Sequence, residues 1–147
     1  MDDRERLREL GAQGFYCSQI LLLMGLDLQG KSNPDLVRAG RGLAGGLGFT
    51  GDTCGTLTSA TCLLGLYAGK GVPSDIDDPR LDFMIMELVK WFKEKYGEQY
   101  GGIRCEQIVG KGGRMQATRC PQIVLETYQR VKELLVENGF DLSGEEL

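Results

Sequence analysis

The chain has 147 residues, of which 41% are hydrophobic and 26% charged, with a net charge of −4. That length and balance fit one globular domain over residues 1–147, and the acidic charge argues against nucleic acid or a membrane surface as the main partner. The absence of histidine removes Ser-His-Asp hydrolysis, Cys-His nucleophilic pairs, haem attachment through Cys-x-x-Cys-His and mixed Cys/His zinc sites.

Helical periodicity runs through nearly the whole sequence, so the expected fold is all-α, a compact bundle of about six helices. Met1-Asp2-Asp3-Arg4 leads directly into a charged amphipathic stretch over residues 3–10, with no export signal. Residues 15–26 read as a helix apolar nearly all round, hence buried. Its longest apolar run, residues 20–24, is too short to span a bilayer, and the cytoplasm is the expected address. Asn33-Pro34 gives a cap followed by proline at the first helical position, opening a helix to about residue 44 that Gly45-Gly46-Leu47-Gly48 ends.

Asp52 or Thr53 is the expected cap of a helix reaching residue 68, rich in the small residues Gly55, Thr56, Ser59, Ala60 and Gly65. Asp78-Pro79 opens a long helix to about residue 96, with an expected apolar stripe of Phe83, Met86, Val89, Trp91 and Phe92. A short helix over residues 104–109 precedes the loop Gly110-Lys111-Gly112-Gly113-Arg114. The last helix is expected from Pro121 to Asn138, with Gly139 as its stop.

Two segments have the spelling of nucleotide sites. Residues 25–32 match G-x-x-x-x-G-K-[ST], ending in Gly30-Lys31-Ser32, and Gly40 to Gly45 spell G-x-G-x-x-G. Both patterns need a preceding strand, and here each follows or lies in helical sequence; helix ends and turns explain them better than a phosphate-loop module.

Five cysteines remain: Cys17, Cys54, Cys62, Cys105 and Cys120. An odd count without an export signal argues against a static disulfide framework. Cys62 falls mid-helix among apolar neighbours, where a free cysteine is expected to be a small buried hydrophobe. The other four share a position at helix starts. Cys17 falls in the first turn of its helix, Cys54 one or two residues past the cap, Cys105 opens the short helix, and Cys120 occupies the cap before Pro121. Helix N-termini carry partial positive charge and free N–H donors that favour an anionic sulfur, and Arg104 and Arg119 each precede a cysteine. The expected site is a cluster of these four thiolates converging at helix N-termini, serving redox chemistry or metal binding. No Cys-x-x-Cys occurs, which weakens the zinc and thioredoxin-type readings.

At these residues the sequence resembles the family of redox-active proteins known for its C-GCAxxG-C-C cysteine pattern. The matching pieces are Gly14-Phe15-Tyr16-Cys17-Ser18-Gln19, Gly42-Leu43-Ala44-Gly45-Gly46-Leu47-Gly48, Gly51-Asp52-Thr53-Cys54-Gly55, Cys105 and Cys120-Pro121, spread over residues 7–135. The family's four characteristic cysteines map onto Cys17, Cys54, Cys105 and Cys120, leaving Cys62 outside. One departure is that Cys-Gly-Ala-x-x-Gly stands here as Cys54-Gly55-Thr56-Leu57-Thr58-Ser59, small residues still but more polar. The resemblance implies redox function, and a similar domain in split-Soret cytochromes is associated with an iron–sulfur centre.

The expected cofactor is therefore a [2Fe–2S] centre held by Cys17, Cys54, Cys105 and Cys120 for electron transfer, one that aerobic purification could strip. Its negative charge would be moderated by helix N-termini and by Arg104, Arg114 and Arg119. A metal-free dithiol/disulfide couple and a four-cysteine zinc domain are the alternatives. An oxidoreductase or electron carrier is the expected partner protein, and the sequence leaves monomer and homodimer both open.

Overall fold

The computed structural model describes residues 1–110 and 119–144. Seven α-helices of five residues or more occur among the described residues: α1 (Asp3–Ala12), α2 (Cys17–Gln29), α3 (Pro34–Gly40), α4 (Gly55–Ala68), α5 (Leu81–Phe92), α6 (Cys105–Val109) and α7 (Arg119–Glu137). The all-α expectation holds: the one piece of β pairing among these residues is an isolated antiparallel bridge between Thr53 and Arg104. The expected loop at Lys111 to Arg114 lies outside the described residues.

Helix α2 is the axis of the bundle. Residues 18 to 22 and 24 to 26 are all buried, as its all-round apolarity requires, because α1, α3, α4 and α7 surround it. Its most extensive partner is α4, and α7 packs across both. Leu21, Leu63, Leu64, Val131 and Leu135 have no exposed surface and join these elements in one core. Among the described residues no helix is long and apolar enough to cross a membrane.

The buried stripe of α5 differs from the expected one. Met84, Leu88 and Phe92 face the core at successive i, i+4 steps, whereas Phe83 is 51% and Met86 65% exposed. A row running back from Phe92 in fours reaches 88 and 84; position 83 lies about 100° round the helix and 86 about 200°. The helix also stops its regular winding at Phe92 and continues as a π-helical turn, Lys93–Gly97. That turn brings Tyr96 against Phe92, with ring centroids 4.8 Å apart, and lets its hydroxyl donate to Glu126 of α7 at 2.7 Å.

The nucleotide-site spellings are helix ends. Gly25 is buried inside α2 and Gly30 is its left-handed C-cap, while Gly40 closes α3. Asn33 caps α3 as expected, its side chain accepting from the Leu36 amide at 3.1 Å.

Truncating Leu63 to alanine removes a fully buried side chain between α2 and α4, and equilibrium urea unfolding is expected to show a loss of about 2–5 kcal/mol. Phe83→Ala is expected to cost less than about 0.5 kcal/mol, since that ring is half in solvent. The reverse order would mean that the α5 stripe is assigned to the wrong face.

A candidate redox site at four helix starts

Each of the four cysteines stands within two residues of a helix beginning. Cys17 is the first residue of α2, Cys54 the residue before α4, Cys105 the first of α6 and Cys120 the second of α7. Two starts differ from expectation. The cap of α4 is Cys54 itself, because residues 52–54 are held extended by pairing with residues 103–105. In that pairing the Cys54 amide donates to the Ile103 carbonyl at 2.9 Å and the Cys105 amide to the Asp52 carbonyl at 2.6 Å. Asp52 turns its carboxylate to the Thr53 amide at 2.7 Å and caps no helix. Helix α7 already includes Arg119, so Cys120 lies in its first turn and not at the cap.

The starts of α2 and α6 share a device. The amide of Tyr16, ahead of Cys17, donates to the Gln19 side chain at 3.2 Å, and the amide of Arg104, ahead of Cys105, to the Gln107 side chain at 3.1 Å. A glutamine at the third helical position thus satisfies an amide that the helix leaves unpaired. The sequence carries this signal as Cys17-Ser18-Gln19 and Cys105-Glu106-Gln107, with Cys120-Pro121-Gln122 as a third copy of Cys-x-Gln.

A close approach at Gly55 sets α2 and α4 start to start. A Cβ on Gly55 would collide with the Leu43 carbonyl and press on the Cβ of Ser18, the neighbour of Cys17. Ser18 is fully buried, with its hydroxyl donating to the Gly40 carbonyl at 2.9 Å. The chain reaches Cys54 through a left-handed turn in which residues 45–49 all have φ between 65 and 69°. Gly46 is required there twice over, by its φ of 69° and because a Cβ would strike the Asp52 backbone. Leu47 and Phe49 adopt the same conformation without glycine's freedom, at about 1–2 kcal/mol each. Phe49 recovers part of that cost edge-on to Tyr16 at 5.4 Å, with the Arg41 guanidinium over the Tyr16 ring at 4.4 Å.

The electrostatics reverse one expectation. Burial outweighs the helix N-termini and favours the protonated thiol at Cys17, Cys54 and Cys105. The Cys17 pKa is pushed up to about 12, first by desolvation and then by negative charge on Cys54, Cys120 and Cys105, with the Thr56 hydroxyl acting against them. Cys105 rises to about 11, again by desolvation first, then by Cys54, Cys120 and Glu106. Cys54 is raised by burial against the amides of Thr56 and Leu57 and the Thr56 hydroxyl. Thr56, where the family pattern has alanine, is therefore a polar group serving two of the cysteines, and its side chain is 1% exposed. It escaped the sequence reading because only the fold shows that its hydroxyl turns to sulfur.

The arginines ahead of the cysteines are engaged elsewhere. Arg104 pairs with Glu106 at 3.4 Å; Arg119 donates to the Ile108 carbonyl and lies 4.8 Å over the Tyr100 ring. Arg114 lies outside the described residues. Cys62 is exposed, which corrects its expected burial: on α4 it lies between the buried Ala60 and Leu63 but projects from the opposite face. Among the described residues, no three Cys, Asp or Glu side chains stand close enough to share one metal ion.

An all-helical protein with four cysteines at helix starts is the class that fold and site define. Over residues 15–134 the sequence matches the family described as "Putative redox-active protein (C_GCAxxG_C_C)", and the chain belongs to that family. No curated protein and no solved structure matches it.

The fold favours the protonated thiol at Cys17 and Cys105. Their contribution to stability is complete below the ordinary value of 9.0 and is lost as pH rises toward about 12 and about 11. Urea unfolding across that alkaline range should show a decline that is shallower in Cys17→Ala; an unchanged slope would count against the raised Cys17 pKa.

Proposed function

We propose that this protein is an electron-transfer protein whose Cys17, Cys54, Cys105 and Cys120 hold a [2Fe–2S] centre. The observation that carries the reading is electrostatic: charge on each of Cys54, Cys120 and Cys105 raises the pKa of Cys17, so three thiols distant in sequence lie within electrostatic reach of it. Bound there, an all-cysteine centre of this type supplies one-electron transfer. Such a centre would draw on four thiolates, the number that this chain places at helix starts.

The chain's own residues would do the rest. Cys54 and Cys120 are buried and keep water from the site. Metal has to displace protons from thiols that the apo fold keeps neutral, so uptake should be favoured by alkaline pH. The Thr56 hydroxyl, acting on Cys17 and Cys54, would stabilise negative charge on their sulfurs and with it the reduced state. An oxidoreductase or electron carrier would be the partner, and a cytoplasmic address fits this chemistry.

Anaerobic reconstitution of wild type and of the five single Cys→Ser variants tests the ligand set, with iron per chain and the visible spectrum as readouts. Serine at position 17, 54, 105 or 120 should abolish incorporation or alter the spectrum, because a hard, weakly acidic oxygen replaces a soft thiolate. Serine at the exposed Cys62 should leave both unchanged. Wild-type protein that takes up no iron would defeat the proposal. A disulfide among the same four, found by non-reducing peptide mapping, would then point to a dithiol couple that gives up two electrons and two protons to its oxidant.

Thr56→Ala should keep the iron and shift the midpoint potential to more negative values. A potential that stays put would remove Thr56 from the tuning role.

A further inference from the structure

A cavity of about 400 Å³ opens between α1, α2 and α7, and Cys17 is part of its wall. Helix α1 lines it with Arg4, Leu7, Arg8 and Gly11, the i, i+3, i+4, i+7 face of that helix. Leu7 with Ile20, Val124 and Leu125 makes the wall mainly apolar. The size lies within the range of small-molecule sites, which combine an apolar body with a few placed polar groups.

Its charge is one-sided. Besides Cys17, the ionisable residues lining the cavity are Arg4 and Arg8, and no carboxylate stands among the described lining residues. Arg4 reaches the Gln122 side chain at 3.5 Å, the outer limit of a hydrogen bond. The Arg8 side chain makes no hydrogen bond or ion pair among the described residues, although Arg6 on the same helix pairs with both Glu9 and Asp27 at 2.8 Å.

We propose that this cavity binds a small organic anion, its apolar body lying between α1 and α7 beside Cys17 and its anionic group held by Arg8 and Arg4. The proposal places a ligand at the redox site argued above and in that respect rests on that reading. Binding itself is measurable on the metal-free protein, so ligand binding and iron uptake succeed or fail separately.

The probe is 8-anilinonaphthalene-1-sulfonate, an aromatic body bearing one sulfonate, followed by its fluorescence on titration into the folded metal-free protein. One saturable site is expected. N-phenyl-1-naphthylamine, the same body without the sulfonate, should bind about tenfold more weakly, as the loss of a charge-assisted contact implies. Gly11→Leu should abolish binding: a Cβ at Gly11 meets nothing within 4 Å, so the new side chain enters the cavity without clash and improves helix propensity. Arg8→Glu changes an exposed position and should bring the sulfonate's affinity to or below that of the uncharged probe. Octanoate should displace the probe and slow iodoacetamide labelling of Cys17 while leaving the exposed Cys62 unaffected. Equal affinity for the two probes, full binding in folded Gly11→Leu or in Arg8→Glu, or labelling of Cys17 indifferent to octanoate would each overturn the proposal.

Discussion

The pairing of Thr53 with Arg104 is the constraint on which the site depends. Two backbone hydrogen bonds, Cys54 to Ile103 and Cys105 to Asp52, join segments about fifty residues apart and fix the starts of α4 and α6 side by side. A bridge this short has little stability of its own. It persists because the chain on either side is already held. The left-handed turn at residues 45–49 delivers Asp52 at one end, with the Asp52 amide donating to Gly46 at 3.0 Å. At the other, Gln107 closes on the Gly101 carbonyl at 2.9 Å and on the Arg104 amide. The strain at Leu47 and Phe49 is part of what it takes to bring Cys54 to this place.

Burial and helix polarity compete at the thiols, and the structure shows which prevails. A helix N-terminus offers a sulfur up to about 2 kcal/mol in favourable, partly buried geometry. Removing a charge from water costs more than that unless partners replace the lost hydration. Here the partners are the Thr56 hydroxyl and the Thr56 and Leu57 amides, and they reduce the burial effect at Cys54 without reversing it. The fold thus favours the neutral thiol at Cys17, Cys54 and Cys105. A free nucleophile would need the opposite balance.

The far wall of the site is tied down by aromatic and cationic contacts. Arg119, at the head of α7, reaches the end of α6 through the Ile108 carbonyl and lies on Tyr100, which stacks on Tyr96 at 6.4 Å. Tyr96 is in turn bonded to Glu126, itself paired with Lys95 at 2.9 Å. An arginine next to a cysteine in sequence is spent on positioning the helix that carries the cysteine, since adjacent residues on a helix do not face one another.

Much was legible in the residues alone. The 3.6-residue periodicity determined that the chain is all-helical, the complete apolarity of residues 20–26 that α2 is central, and Asn33-Pro34 where α3 begins, because each depends on local sterics and hydrogen bonding. The grouping of Cys17, Cys54, Cys105 and Cys120 at helix starts was likewise a local property. Tertiary structure alone decided the cap of α4, since Asp52 and Cys54 are both competent to end an extended segment and the pairing with residues 103–105 chose between them. It also decided the exposure of Cys62 and the buried row of α5, because a mixed apolar helix does not say which side its neighbours will cover. The state of the thiols belongs to the fold for the same reason: their pKa values depend on how much water the surrounding helices exclude, and that depth of burial arises only when α2, α4, α6 and α7 have come together.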